Sequence, residues 1–359
     1  MTQDQTNSKF DRSPDLSYCH TVVQDVSRTF ALTIDLLNEP LSDHICVGYL
    51  LCRIPDTIED AVHIPAQSQC QLLQTYQAAI DPSEPTSIHT FVDAISPWAP
   101  PQGESADWDV VRAAPTVLAT FETFSSSTKQ AIRPQVKEMT GGMSRFIDRY
   151  SDRPGLRIQT GSELDRYCHY VAGTVGTLIT DLLPKQSLTT VQAQTLERTA
   201  EDFGRLLQLV NIAKDVREDF LGEQNVYLPS EWLEAESVSQ DHLLDDENRD
   251  SVSRVLDRVL DRARSCLNPA AAYIQAMPTG GGNTVAAWAV PYLLAVATLR
   301  KLKNQPTAAL TTGKVKVSRE EVHAILSATQ ECSSERVRTL RHTIERDPLH
   351  TTTESLDVA

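Results

Sequence analysis

Read for its alternation of apolar and polar positions, the chain is helical along most of its length. Between Leu16 and Asp60, Val22, Val23, Val26 and Phe30 recur at helical spacing, polar residues intervene near Asn38 to Pro40, and Ile45, Val47, Tyr49, Leu50 and Leu51 resume the pattern. This predicts two helices joined by a turn. Residues 131–150 place Val136, Met139, Met143, Phe146 and Ile147 on one face. Further on, Leu206, Leu207, Leu209, Val210, Ile212, Ala213 and Val216 wrap most of a circumference, which predicts a helix enclosed by protein. The most apolar run, Thr284 to Leu299, is shorter than the ~20 residues that span a bilayer and contains Pro291, so it reads as a buried core helix. Six prolines between 81 and 115 exclude long helices there and predict a surface excursion. The pattern predicts an all-α fold, one helical domain over 16–345, with tails at 1–15 and 346–359.

Two of these helices carry carboxylates that the apolar pattern does not require. Asn211, Asp215 and Asp219 stand at i, i+4 and i+8, one column on a helix, with Glu218 beside them. Asp56, Glu59 and Asp60 repeat the theme at i, i+3 and i+4, directly after the run Ile45 to Leu51. One column alone also suits a solvated, salt-bridged face. Two columns facing each other would make a cage for Mg²⁺, a hard cation that takes carboxylate oxygens and completes its shell with water and substrate phosphate. A diphosphate substrate follows. Arg28 and Arg53 lie close to the first cluster in sequence, and their guanidinium forks match diphosphate oxygens, or else pair with neighbouring carboxylates. Pro55, immediately before Asp56, removes a backbone donor and predicts a kink or helix restart.

Charge narrows the partners. With 33 Lys and Arg against 48 Asp and Glu, a net charge of −15 argues against nucleic acid, which requires a concentrated basic footprint. Nine of the basic residues are lysine, and this acid-rich, lysine-poor balance suits a high-salt cytoplasm or reflects a G+C-rich genome. Seven cysteines without a C-x-x-C pair predict buried free thiols. The opening MTQDQTNSKFDRS lacks a basic start and apolar run, so a cytoplasmic protein is expected. The polar ending DPLHTTTESLDVA predicts no transmembrane anchor and at most peripheral membrane contact.

Five segments, in order, carry a resemblance: SRTFA from Ser27, RIPDTIED ending at Asp60, YCHYVAGTVG from Tyr167, NIAKDVRED from Asn211 and AWAVPYLLAVATL from Ala287. Together they resemble the squalene/phytoene synthase family of head-to-head prenyl transferases. The resemblance implies a class I isoprenoid-synthase fold around a deep central cavity and a monomer that joins two farnesyl diphosphates through presqualene diphosphate, with NADPH reducing the product to squalene. Its relatives that stop without reduction, at dehydrosqualene or phytoene, are the alternative, and a non-catalytic prenyl-lipid binder is a third. By resemblance, Asp56, Glu59, Asp60, Asp215, Glu218 and Asp219 hold Mg²⁺, while Arg28, Arg53, Tyr49, Asn211 and Lys214 meet the substrate. Gly173 and Gly176 leave room for a neighbour or a prenyl chain, Tyr167 assists proton removal or cation stabilisation, and Lys316 and Arg319 in GKVKVSREE bind NADPH. Two departures stand out: Lys214 replaces a frequent arginine, and Gln224 and Asn225 stand where relatives carry one.

Overall fold

The computed structural model describes residues 13–278, 283–313, 315–330 and 333–350. Among them there is no strand; Arg157 and Val226 form a β-bridge. Seven helices frame the interior: α1 (Leu41–Glu59), α2 (Ala66–Ala79), α3 (Ser126–Arg149), α4 (Thr174–Leu182), α5 (Thr190–Glu218), α6 (Arg249–Gln275) and α7 (Thr284–Asn304). The longest, α5, starts at a reciprocal capping box between Thr189 and Gln192 and packs along α6, α4 and α7. One contiguous apolar cluster runs through all seven helices.

The N-terminal region forms three helices where the apolar spacing predicted two. Ser27 is extended, and its hydroxyl accepts from the Phe30 amide, so it ends Pro14–Val26 and caps Arg28–Asp35. A serine that offers the backbone this alternative breaks a helix that spacing alone would continue.

At Pro55 the helix does not restart, since α1 continues through it to Glu59. The missing Pro55 N–H leaves the carbonyl of Leu51, four residues earlier, without its helical donor. The fully buried Tyr76 of α2 supplies a hydroxyl to that oxygen at 2.7 Å.

The excursion at 81–115 contains the short helices Ile88–Ile95 and Ala106–Arg112, and Trp108 is buried against His63. Helix α7, at 21 residues, is long and apolar enough to cross a membrane, but 78% of its apolar window is buried inside the protein. It is the core helix its sequence predicted, extended by the polar turn Arg300–Asn304. Cys19, Cys46, Cys52, Cys70, Cys168 and Cys266 are buried; Cys332 and Lys314 lie outside the described residues.

Helices α4 and α5 run antiparallel at backbone contact. A Cβ at Gly176 would collide with the carbonyl oxygen of Ala200, and one at Gly204 with that of Ala172. Gly173 likewise makes room for the Glu201 side chain. The space beside Gly173 and Gly176 is therefore filled by α5, which corrects their expected contact with a prenyl chain.

Candidate active site

Both acidic motifs lie at helix C-termini. Asp56 and Glu59 occupy the last turn of α1 and Asp60 its C-cap; Asp215 and Glu218 occupy the last turn of α5 and Asp219 its C-cap. That is the negative end of each helix dipole, so carboxylates there gain nothing from the backbone and call for an external cation. After Asp219 the chain widens into a π-turn, Asp219–Glu223, and Gln224 closes it in the left-handed region at φ 59°.

The carboxylates of the two helices act on one another. Burial raises the proton affinity of Asp60 well above the ordinary range, and Asp56, Glu223 and Glu59 raise it further against the opposing effect of Arg53. Asp219 is pushed up to about 8, chiefly by burial and then by Glu223 and Asp215, with Lys214 pulling the other way. Glu223 is raised by burial and by Asp56 and Asp215, which places it electrostatically between the motifs. Burial and neighbouring carboxylates thus disfavour the ionised forms of Asp60, Asp219 and Glu223, while among the described residues no three acidic side chains are drawn together as a metal-holding group.

The cations present are already engaged. Arg53 donates to Asp56 through Nη1 and, through Nε, to Asp107 at 2.8 Å. Burial disfavours its charge, but Asp56 and Asp107 more than offset this and hold it protonated. Lys214 pairs with Asp215. Arg28, at the start of its short helix, is exposed, as are Asn211 and Glu218. Glu218 lies beside Gly313, so the segment leading to Lys316 and Arg319 passes the end of α5; both of those side chains are exposed.

Glu59 is the exception among the motif carboxylates. It is buried, its Oε2 accepts from the Tyr167 hydroxyl at 3.4 Å, and its Oε1 has no hydrogen-bond partner. Tyr167 lies 3.1 Å, oxygen to oxygen, from Tyr227, and the Asn225 amide donates to Tyr227 at 3.1 Å and to Glu223 at 3.2 Å. Burial holds the Tyr167 phenol well above its ordinary value, with Glu59 adding to the shift. Tyr167 therefore serves as a hydrogen-bond donor and not as a base near neutrality.

From Arg53 and Asp56 a cavity of about 210 Å³ runs inward between Tyr49, Met139, Val171, Val175 and Leu178, with Phe30 stacked on Tyr49 at 4.3 Å and Gln208 as its polar wall. A larger crevice of about 830 Å³, between His44, Ala131 and Lys185, sits at the opposite ends of α1, α3 and α4 and contains none of the motif carboxylates.

The sequence reading missed Asp107, Gln208, Glu223, Asn225 and Tyr227. One signal was present: Glu223 continues the four-residue step of Asn211, Asp215 and Asp219. Asp107 had none, being 54 residues from Arg53 in a proline-rich stretch.

The squalene/phytoene synthase family model matches residues 23–321. This chain belongs to the squalene/phytoene synthase family. Members of this family transfer prenyl groups in isoprenoid biosynthesis. Presqualene diphosphate synthase of Botryococcus braunii is 27% identical over 260 residues, 72% of this chain and 59% of that protein, so the match spans about three fifths of the relative's length. Squalene synthase of Homo sapiens is 24% identical over 318 residues, 88% of this chain and 70% of that one. Among solved structures, TcSQS in complex with the ligand BPH1237 superposes with a TM-score of 0.77 at 25% identity, covering 92% of this chain and 90% of that one. A dehydrosqualene synthase complex, at TM-score 0.61 and 19% identity over 88% and 95% of the two chains, shares the all-α isoprenoid-synthase fold.

Proposed function

We propose that this chain joins two farnesyl diphosphates head to head into presqualene diphosphate and, with NADPH, reduces that intermediate to squalene. The observation that carries the reading is a pair of carboxylate clusters linked electrostatically through Glu223, the first of which lines an apolar cavity through Asp56. Oxygen donors of this kind suit Mg²⁺, and the buried, unpartnered Glu59 Oε1 and the shortage of free protein cations point to a site that expects added positive charge. Asp56, Asp60, Asp215 and Asp219 would hold the ions, whose charge would neutralise diphosphate as it departs.

The protein's own part is orientation and exclusion of water. Arg53, fixed from behind by Asp107, presents its guanidinium at the cavity mouth, where a diphosphate would replace Asp56 as its partner. Tyr49, Phe30, Met139, Val171 and Val175 surround the hydrocarbon and keep an allylic cation from water. Because the Tyr167 phenol is held neutral, the departing diphosphate is the better acceptor for the proton lost on ring closure.

The reductive half rests on resemblance to squalene synthases, by which the exposed Lys316 and Arg319 would meet the nicotinamide cofactor. The deciding experiment incubates the purified protein with farnesyl diphosphate and Mg²⁺. Presqualene diphosphate should accumulate without NADPH and pass to squalene on its addition, with deuterium transferred from labelled NADPH. Dehydrosqualene formed regardless of NADPH, or phytoene from the twenty-carbon diphosphate, would replace this reading with that of a non-reducing family member.

A further inference from the structure

We propose that Glu223 is a further cation-holding carboxylate, one that joins the two acidic motifs, and that Arg157 is the residue that positions it. The proposal rests on the Mg²⁺ reading above.

The turn that carries Glu223 is held from outside α5. Arg157, 4% exposed, donates through Nη1 to the carbonyl of Leu156 at 3.1 Å and to that of Gln224, the residue in the left-handed conformation. Gly155, at φ +68°, lets the Gln224 carbonyl approach where any Cβ would block it. Three more bonds fasten the two segments: Leu156 N to Asn225 Oδ1 at 2.8 Å, Val226 N to Leu156 O at 2.9 Å, and Ile158 N to Val226 O at 3.1 Å. One guanidinium nitrogen, Nη1, reaches both carbonyl oxygens and so ties the left-handed turn at Gln224 to the neighbouring segment.

The turn so fixed aims Glu223 at the first motif. Glu223 and Glu59 line the same cavity of about 200 Å³. They also terminate one hydrogen-bonded series, Glu223 to Asn225, Tyr227, Tyr167 and Glu59. The second, independent sign of a ligand is Glu59 Oε1, more than nine-tenths buried, facing no donor. A buried carboxylate oxygen without a partner is costly; Arg53, Lys214 and Arg157 are committed elsewhere, and Arg153, which lines the same cavity, is the competing protein cation. A divalent cation shared between Glu59 and Glu223 satisfies both, and makes Glu223 the carboxylate through which α5 reaches across to α1.

The test follows the melting temperature of wild type, Glu223→Gln, Arg157→Met and Arg157→Lys as MgCl₂ is titrated, with and without inorganic diphosphate. In metal-free buffer Glu223→Gln should melt above wild type, because one of several crowded carboxylates is gone. Its Mg²⁺ midpoint should rise about tenfold. Arg157→Met should shift the midpoint in the same direction with Glu223 intact, and Arg157→Lys, whose ammonium also carries several donors on one nitrogen, should restore it in part. A Glu223→Gln midpoint within about twofold of wild type overturns the proposal while leaving the proposed activity untouched. An unshifted midpoint in a folded Arg157→Met removes the positioning role. A wild type whose melting ignores Mg²⁺ sinks both this proposal and the reading it rests on.

Discussion

Removing a single oxygen, by Tyr76→Phe, tests why α1 passes straight through Pro55 into its carboxylates. The Tyr76 hydroxyl donates at 2.7 Å to the Leu51 carbonyl, and both residues are buried. With Pro55 unable to donate, the substitution leaves that carbonyl unsatisfied, at a cost of about 1–3 kcal/mol. An unfolding entropy of roughly 2.1 cal/mol/K per residue converts this into a fall of about 1.5–4 °C in Tm for a chain of this length. The control is Pro55→Ala, which restores an N–H four residues after Leu51. In that background Tyr76→Phe should cost little, so a double-mutant cycle should show a coupling of about 1 kcal/mol or more. Urea unfolding followed by far-UV circular dichroism supplies the four stabilities. Equal costs in the two backgrounds would refute the compensation.

Asp56→Asn and Asp215→Asn should each lower diphosphate release by about two to three orders of magnitude with unchanged helicity, since each removes charge and not packing; near-normal turnover in both ends the assignment. The folded-state pKa of Asp219, about 8, lies above its ordinary value, so its contribution to stability is complete below about pH 4 and is lost as pH rises through 8. In EDTA the Tm should therefore fall between pH 5 and 8.5, and Asp219→Asn should flatten that slope; a slope identical in the variant removes Asp219 as a cause. Stability should also rise with molar KCl as the net charge of −15 is screened, and a salt-independent Tm would discard this effect.

What the sequence made legible was local. Periodicity located α5, α7 and the later part of α1, and the four-residue steps put Asp56 with Asp60, and Asp215 with Asp219, each pair on one helix; that both lie at a helix end came from the structure. Contacts across long separations carried no such signal. Nothing in the neighbourhood of Asp107 announces Arg53, and nothing near Tyr76 announces the carbonyl orphaned by Pro55. The glycines of YCHYVAGTVG illustrate the same limit: their small size was readable, but whether a substrate or a helix used the space depended on Ala200 and Glu201, more than twenty residues away.

Those glycines also constrain how the molecule can move. Ala172 and Gly176 on one helix meet Gly204 and Ala200 on the other in antiparallel order, so the two backbones interlock at two points four residues apart. One such point would be a pivot; two forbid both sliding and swivelling, since a slip of a single helical turn, about 5.4 Å, would drive each carbonyl into a side chain. The half of the site bearing Asp215 is in this sense an anvil. An opening of the site therefore falls to the other half, the Asp56 end of α1 or the helix holding Asp107.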